Sequence, residues 1–272
     1  MIASRIKHFI YKLVLSPILL KHYLASKNIY LTENERKLKA LKNKHKGKRC
    51  FVIGNGPSLN KMDLSLLINE YTFGVNGVFY AFDELGFMPT YYVVEDRLVA
   101  EDNRYKINDL SETIKIFPED LKYCLKGGDS TVFINFIRYY DFLYDDDISP
   151  RFSSNIQLQT YWGGTVTYLN LQLAYYMGFQ EVYLIGMDLG YKVPLGNEKN
   201  VITSEVNDEN HFHPDYFGPG KRWHQPKEDR MIRSLQFAGE QFKSNGRNIF
   251  NATLEGNLHI FPRVNYDDLF RK

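Results

Sequence analysis

The fold class that the sequence predicts is α/β: a mostly parallel sheet with helices on both faces, preceded by a basic helical extension. Three observations predict it. Short apolar runs alternate with segments of helical periodicity, which is how strands and crossover helices follow one another in a parallel sheet. Several of those runs stop at small or amide residues, the first being "CFVIGNGPS" (50–58). The 272 residues, 44% of them apolar, suffice for one large domain with an appendage and a sizeable core.

The extension comes first. Residues 1–49 carry 13 Lys/Arg against two Asp/Glu, a surplus of 11 that leaves the remainder of the chain at −9. In "MIASRIKHFIYKLVLSPILLKHYL", Ile2, Ile6, Phe9, Ile10, Leu13 and Leu20 recur near helical spacing, with Arg5, Lys7, Lys12 and Lys21 among them. No run of about 18 uncharged apolar residues is present, which argues against a spanning helix. The charge at Lys12 and the lack of a small-residue cleavage site argue against a signal peptide. A basic amphipathic segment of this kind lies on an anionic membrane surface, or packs on the domain or on a second subunit. A peripheral membrane contact through residues 1–25 and a homo-oligomer are therefore expected. The stretch holds no nucleic-acid-reading motif, so no nucleic-acid partner is expected. Residues 33–49 read as a solvated helix and linker, which divides the chain into an extension, 1–48, and a domain, 49–272.

Within the domain, "CFVIG" (50–54) is a buried strand and "YTFGVNGVFYAF" (71–82) a strand and turn. "TYYVVED" (90–96) gives a third strand ending in two carboxylates, and "TIKIFP" (113–118) and "TVFINF" (131–136) are further candidates. Residues 141–160 read as a loop or variable insert. The periodicity predicts a helix from Thr165 to Met177, stopped by Gly178, and "EVYLIGMD" (181–188) is a strand. A long polar loop (190–222), a helix (227–246), a last strand (247–253) and a short helix at "YDDLF" complete the chain. Cys50 and Cys124 form no CxxC and read as free, buried thiols of a reducing compartment.

Ligands of open parallel sheets bind outside the carboxyl ends of the strands. Gly54, Asn55 and Gly56 sit at such an end: glycines admit a sharp turn and a close ligand, the Asn55 amide donates and accepts, and Pro57 and Ser58 start a helix. The turn is neither GxGxxG nor a Walker A loop. A tight connection with no ligand would also use these residues, but three other strand ends agree with a site. Asn76 ends the second strand. Gly163, Gly164 and Thr165 precede a helix whose N-terminus attracts phosphate. Asp188 is placed to accept hydrogen bonds from a base or ribose. Together they predict a nucleotide site.

"FVIGNGPSL", "GVN", "GGTVTYLNLQLAYYMGFQEVYLIGMDLGY" and a histidine-bearing loop before a helix resemble two related groups. One is the bacterial sialyltransferases of glycosyltransferase family 42. The other is the MptE-like group, named for a 6-hydroxymethylpterin diphosphokinase, with members similar to polysaccharide-biosynthesis proteins. The resemblance covers roughly residues 49–253 and implies a Rossmann-like fold. It also implies a CMP-sugar donor at Asn55, Gly56, Asn76, Gly164, Thr165 and Asp188, and a general-base histidine among His211, His213 and His224, of which His224 fits the spacing best. Tyr191 and Tyr216 become the tyrosines on the leaving phosphate. Two features depart from the sialyltransferase pattern. Tyr161 and Trp162 stand where an arginine is expected. Glu95 and Asp96 stand at a strand end where an asparagine is expected, and Arg97 beside them is placed to pair with Glu95 or with a sugar carboxylate. Two carboxylates beside a phosphate site are Mg²⁺ ligands in principle.

The expectation is a glycosyltransferase moving a sialic acid-like sugar from CMP onto a glycan or lipid-linked acceptor, with no cofactor required and Mg²⁺ an option. It would sit in the cytoplasm at the inner face of the membrane. The alternatives are an ATP- and Mg²⁺-dependent diphosphokinase for a pterin-like alcohol, and a non-catalytic nucleotide-binding scaffold. A zinc site at His211, His213 and Asp215 lacks an evident fourth ligand. Arg263 reads as a structural contact.

Overall fold

The computed structural model describes residues 17–82, 86–138, 150–191 and 201–271. The expected loop at 141–149, part of the polar loop (192–200) and the apolar positions Ile2 to Leu13 lie outside the described residues.

A helix over 17–26 (α1) and one over Glu33–Ala40 (α2) lead into β1 (Arg49–Ile53). There follow β2 (Thr72–Val75), β3 (Tyr91–Val93), α3 (Arg97–Asp102), α4 (Arg104–Asp109), β4 (Ile114–Pro118), β5 (Thr131–Ile134), β6 (Phe136–Ile137) and β7 (Thr160–Tyr161). Then come α5 (Val166–Met177), β8 (Glu181–Ile185), β9 (Val201–Thr203), β10 (Arg222–His224), α6 (Glu228–Lys243) and β11 (Asn248–Asn251). Seven strands form one parallel sheet in the order β11-β8-β1-β2-β3-β4-β5, with Val52 of β1 opposite Phe73 and Leu184. The architecture is the Rossmann-like α/β fold that the alternation predicts.

The strands read as unbroken apolar runs because both faces are covered. Alternate side chains of β1 enter different cores. Cys50 and Val52 join Leu169, Leu173 and Met177 of α5 and Leu235 and Phe242 of α6. Phe51 and Ile53 join Leu59, Leu67, Val99, Ile107 and Tyr266 on the other face. Helix α5 begins where the sequence places it: Thr165 caps it, its hydroxyl accepting from the Thr167 amide, and Gly178 ends it at φ +86°.

Several elements differ from expectation. The strand at 90–96 stops at Val93, because Asp96 turns its carboxylate onto the amides of Leu98 and Val99 and caps α3. "TVFINF" breaks at Asn135, whose amide donates to the Leu158 carbonyl, so β6 leaves the sheet and pairs with β7. The polar loop contains a hairpin, β9 with β10. Cys50 is buried, but Cys124 is only half-buried.

Residues 33–49 contain the expected helix, α2, with an exposed outer side, but the segment is anchored to the sheet and is no free linker. Glu35 and Leu38 are buried, and the Asn34 side chain donates to the Phe133 carbonyl and accepts from its amide. That amide pairs the open edge of β5 as another strand would, which closes an otherwise exposed edge. The following turn caps the end of α5: the Asn43, His45 and Gly47 amides donate to the carbonyls of Tyr176, Met177 and Gly178.

His45 is buried in this turn, stacked on Phe179 at 4.7 Å, its Nε2 2.6 Å from the Tyr91 hydroxyl. Burial, aided by the charge of Lys44, lowers its pKa to about 4. A depressed histidine stabilises the fold fully above the unfolded pKa of 6.5 and loses that contribution as pH falls towards 4. Denaturant titrations should therefore show His45→Leu losing less stability than wild type between pH 7 and 4.5, by on the order of 2 kcal/mol.

Candidate functional site

The chain runs outward from β1 through β2 to β5 and then returns to β8 on the other side of β1. The loops after β1 and β8 therefore diverge, and a crevice opens between them. It forms a cleft of about 1140 Å³ lined by residues from the predicted site: Gly54 to Pro57, Asn76, Glu95 and Asp96, Gly164 and Thr165, and Gly186 to Tyr191.

The floor is two turns fastened together. The Gly54 amide donates to the Ile185 carbonyl at 2.8 Å and the Gly56 amide to the Gly186 carbonyl at 2.9 Å. Asp188 accepts from the Ser58 amide at 3.1 Å and from its hydroxyl at 2.8 Å. A Cβ on Gly56 would lie 1.8 Å from the Asp188 carboxylate, so only glycine permits this approach. Asp188, expected to meet a base or ribose, has both oxygens engaged in holding the helical turn that begins at Pro57, although it also lines the cleft.

Beside the floor stand two asparagines. Asn55 donates to the Val75 carbonyl and to the Tyr216 hydroxyl, both at 3.2 Å. Its Oδ1 and that of Asn76 are buried with no hydrogen-bond partner among the described residues. Both oxygens can accept a hydrogen bond from a group that enters the cleft. The Tyr216 hydroxyl also meets the Gly77 amide and the Asn76 side chain. Its ring stacks on His211 at 4.0 Å, and His211 holds Asp208 through Nδ1 at 2.7 Å. Burial raises the pKa of Tyr216, and that of Tyr191 to about 12, so both phenols stay protonated.

The third strand end carries the charge. Glu95 is buried against Arg138 at 3.0 Å, and Arg138 also grips Asp120 through Nε at 2.6 Å. Arg97 pairs with Asp120 at 2.7 Å rather than with Glu95. Burial lifts the Glu95 carboxyl to about 7 despite Arg138. Asp96 behaves in the opposite way: burial works against its charge, but His224 and the Val99 and Leu98 amides outweigh that and hold it low.

His224 Nδ1 lies 3.0 Å from Asp96 Oδ2, and this hydrogen bond raises the histidine's pKa. Strand β10 is held there by Arg222, whose Nε donates to Asp102 at 3.1 Å and whose Nη2 donates to Glu101 at 2.9 Å, and by the buried Trp223 stacked on Phe217. With Nδ1 oriented by a carboxylate, Nε2 is free to take a proton. His211 and His224 line the cleft; His213 does not, and stacks on Tyr80 at 5.0 Å.

The fourth wall is the first turn of α5. Gly163 is required because the Tyr168 ring lies 2.3 Å from where its Cβ would be, and Gly164 adopts φ +86°. Arg230 of α6 lies over Trp162, its guanidinium 4.9 Å from the ring, against Gly164. A cation thus reaches this turn from α6, although Tyr161 and Trp162 replace the expected arginine in sequence.

Sequence reasoning missed Arg138, Asp120, Asp208 and Arg230. An acidic pair such as Glu95-Asp96 needs a counter-charge, which was a signal for some buried arginine but not for which one. A Mg²⁺ ion held by Glu95 and Asp96 fits poorly: both Asp96 oxygens and one Glu95 oxygen are already committed to His224, backbone amides and Arg138.

The amino-acid sequence matches the family described as 6-hydroxymethylpterin diphosphokinase MptE-like over residues 10–194. The match takes in much of the N-terminal segment, which the sequence reading placed outside the resemblance. It ends before β9, so His211, His213, His224 and Arg230 lie beyond it. No curated protein matches the chain. Among solved structures, the MAf glycosyltransferase from Magnetospirillum magneticum AMB-1 is similar, at 14% identity and a TM-score of 0.48. That likeness covers 82% of this chain and 35% of the other, so this chain spans about a third of that protein's length. With the match extending over more than half of its residues, the chain belongs to the MptE-like family.

Proposed function

We propose that this protein is a glycosyltransferase that uses a nucleotide-activated sugar. The donor is a CMP-linked, sialic acid-like sugar, and the acceptor is a hydroxyl of a cell-surface glycan. The observation that carries the reading is the pairing of His224 with Asp96 in the cleft, 3.0 Å apart, with the first turn of α5 lining the same cleft.

The reaction is a direct displacement. The acceptor oxygen attacks the anomeric carbon while His224 Nε2 takes its proton. The bond from that carbon to the phosphate oxygen breaks, and CMP leaves with the electron pair. The start of α5 and the neutral hydroxyls of Tyr191 and Tyr216 receive the phosphate charge. Asn55 and Asn76 offer acceptor oxygens to the donor's amine or hydroxyl groups.

A second reading, an ATP-dependent diphosphokinase, has the family's description in its favour and the Glu95-Asp96 pair as its metal site. The commitment of those carboxylates to Arg138 and His224 favours the transferase.

Two measurements test the proposal. In a thermal-shift panel of CMP, CDP, UDP, GDP and ATP, CMP should raise the melting midpoint without Mg²⁺. A shift that needs both ATP and Mg²⁺ would replace the transferase with the kinase reading. With a CMP-sugar donor, His224→Ala should lose roughly 10² to 10⁴-fold in kcat while still binding CMP. The base works only when neutral and its pKa is raised, so the rate should climb as pH rises through that pKa. Asp96→Asn keeps a helix cap but removes the charge, and should shift this limb to lower pH while lowering the plateau. An unmoved limb would remove His224 from the base role.

A further inference from the structure

The N-terminal layer offers a surface that the transfer chemistry does not use. Helix α1 is clamped by its inner face. His22 is buried, with Nδ1 2.9 Å from the Gln157 carbonyl and Nε2 3.3 Å from Glu119. Gln157 donates to the Ala25 carbonyl at 3.0 Å, and Lys21 pairs with Glu119. These contacts fix which side of the helix faces out.

The outward side is apolar. Leu20 and Tyr23, three residues apart and so neighbours on a helix, are 57% and 52% exposed. Ile29 and Leu31, in the turn that follows, are 50% and 61% exposed. Lys27 lies over the Tyr23 ring at 5.8 Å, and Lys39 donates to Asn28 at 3.0 Å. Lys42, Lys44 and Lys46 are also exposed, and among the described residues none of these five lysines meets a carboxylate. In the sequence, Ile6 and Leu13 precede Leu20 at intervals of seven, with Lys7 and Lys12 between them and Arg5 just before.

Large exposed apolar side chains with Lys27 and Lys39 at their edge suit an interface that is oily within and anionic at its border, which is the surface of a bilayer rich in acidic lipid. A second copy docked face to face would bring two surplus-positive segments together, which repel. We propose that the outer side of α1 and the turn after it dock on an anionic membrane surface, seating Leu20, Tyr23, Ile29 and Leu31 among the acyl chains and the lysines among the headgroups. No described helix is long and apolar enough to cross a membrane.

Flotation of the full chain with vesicles tests this. The protein should rise with vesicles of 30% phosphatidylglycerol in phosphatidylcholine and stay behind with pure phosphatidylcholine, and high salt should release it. L20S/Y23S/L31S, which alters only exposed side chains and leaves residues 1–16 intact, should keep the wild-type melting midpoint. Its partition should fall roughly tenfold or more. Equal flotation of variant and wild type, equal binding to neutral vesicles, or no flotation at all would overturn the proposal. So would a wild-type dimer in size-exclusion chromatography that this triple variant dissociates while vesicles bind neither form.

Discussion

The candidate site depends on the fastening of two turns. Strands β1 and β8 are neighbours in the sheet, but the chain leaves them in opposite directions, and nothing in a crossover can cover the gap that results. The turns after them meet across it, through two backbone hydrogen bonds and the grip of Asp188 on Ser58. Side chains at Gly54 or Gly56 would force these backbones apart. Once the floor is set, the register of the parallel sheet brings the ends of β2 and β3 alongside, and with them Asn76, Glu95 and Asp96. Burial of a cleft at this place is therefore a consequence of strand order, and its chemistry a consequence of which residues stand at the strand ends.

Adjacent carboxylates then acquire opposite characters. Glu95 is sealed against Arg138 and titrates near neutrality, while Asp96 faces the cleft rim and remains charged under His224 and two amides. Environments that separate two carboxyl groups in this way are how acid and base duties are divided at one pH. The same ion network reaches further. Asp120, which holds Arg138, is the chain neighbour of Glu119, which holds Lys21 and His22 of α1. The N-terminal layer is thus bound to the far side of the charged wall, not appended to the domain.

The strands of the seven-stranded sheet were legible because each is a short apolar run, and the strand-end residues were legible because glycine and asparagine there have few structural uses other than turns and ligand approach. Gly163 illustrates the limit. Its place before a helix was readable, but its reason, the Tyr168 ring against it, was not. Residues 33–48 read as solvated because lysines outnumber apolar residues there; the few that matter, Asn34, Leu38 and His45, act through the β5 edge and the end of α5, which are remote in sequence. Arg138 and Arg230 were invisible for the same reason. Each belongs to the site only because the chain folds back, and an isolated arginine carries no local pattern to mark it.

The family match and the site divide the chain at nearly the same place. Residues up to 194 supply the floor, the two asparagines and the start of α5. The loop beyond supplies His211, Tyr216 and His224, and it is tied back to the floor where the Phe212 amide donates to the Asn55 carbonyl at 2.8 Å. A kinase and a glycosyltransferase could share the first half, since each needs the phosphate held. They part over the carboxylates at the end of β3, which a metal-dependent kinase must keep open to an ion. Here the second half of the chain folds back onto those carboxylates and turns one of them into the partner of a histidine. The imidazole so oriented stands in the part of the chain that the family match does not reach.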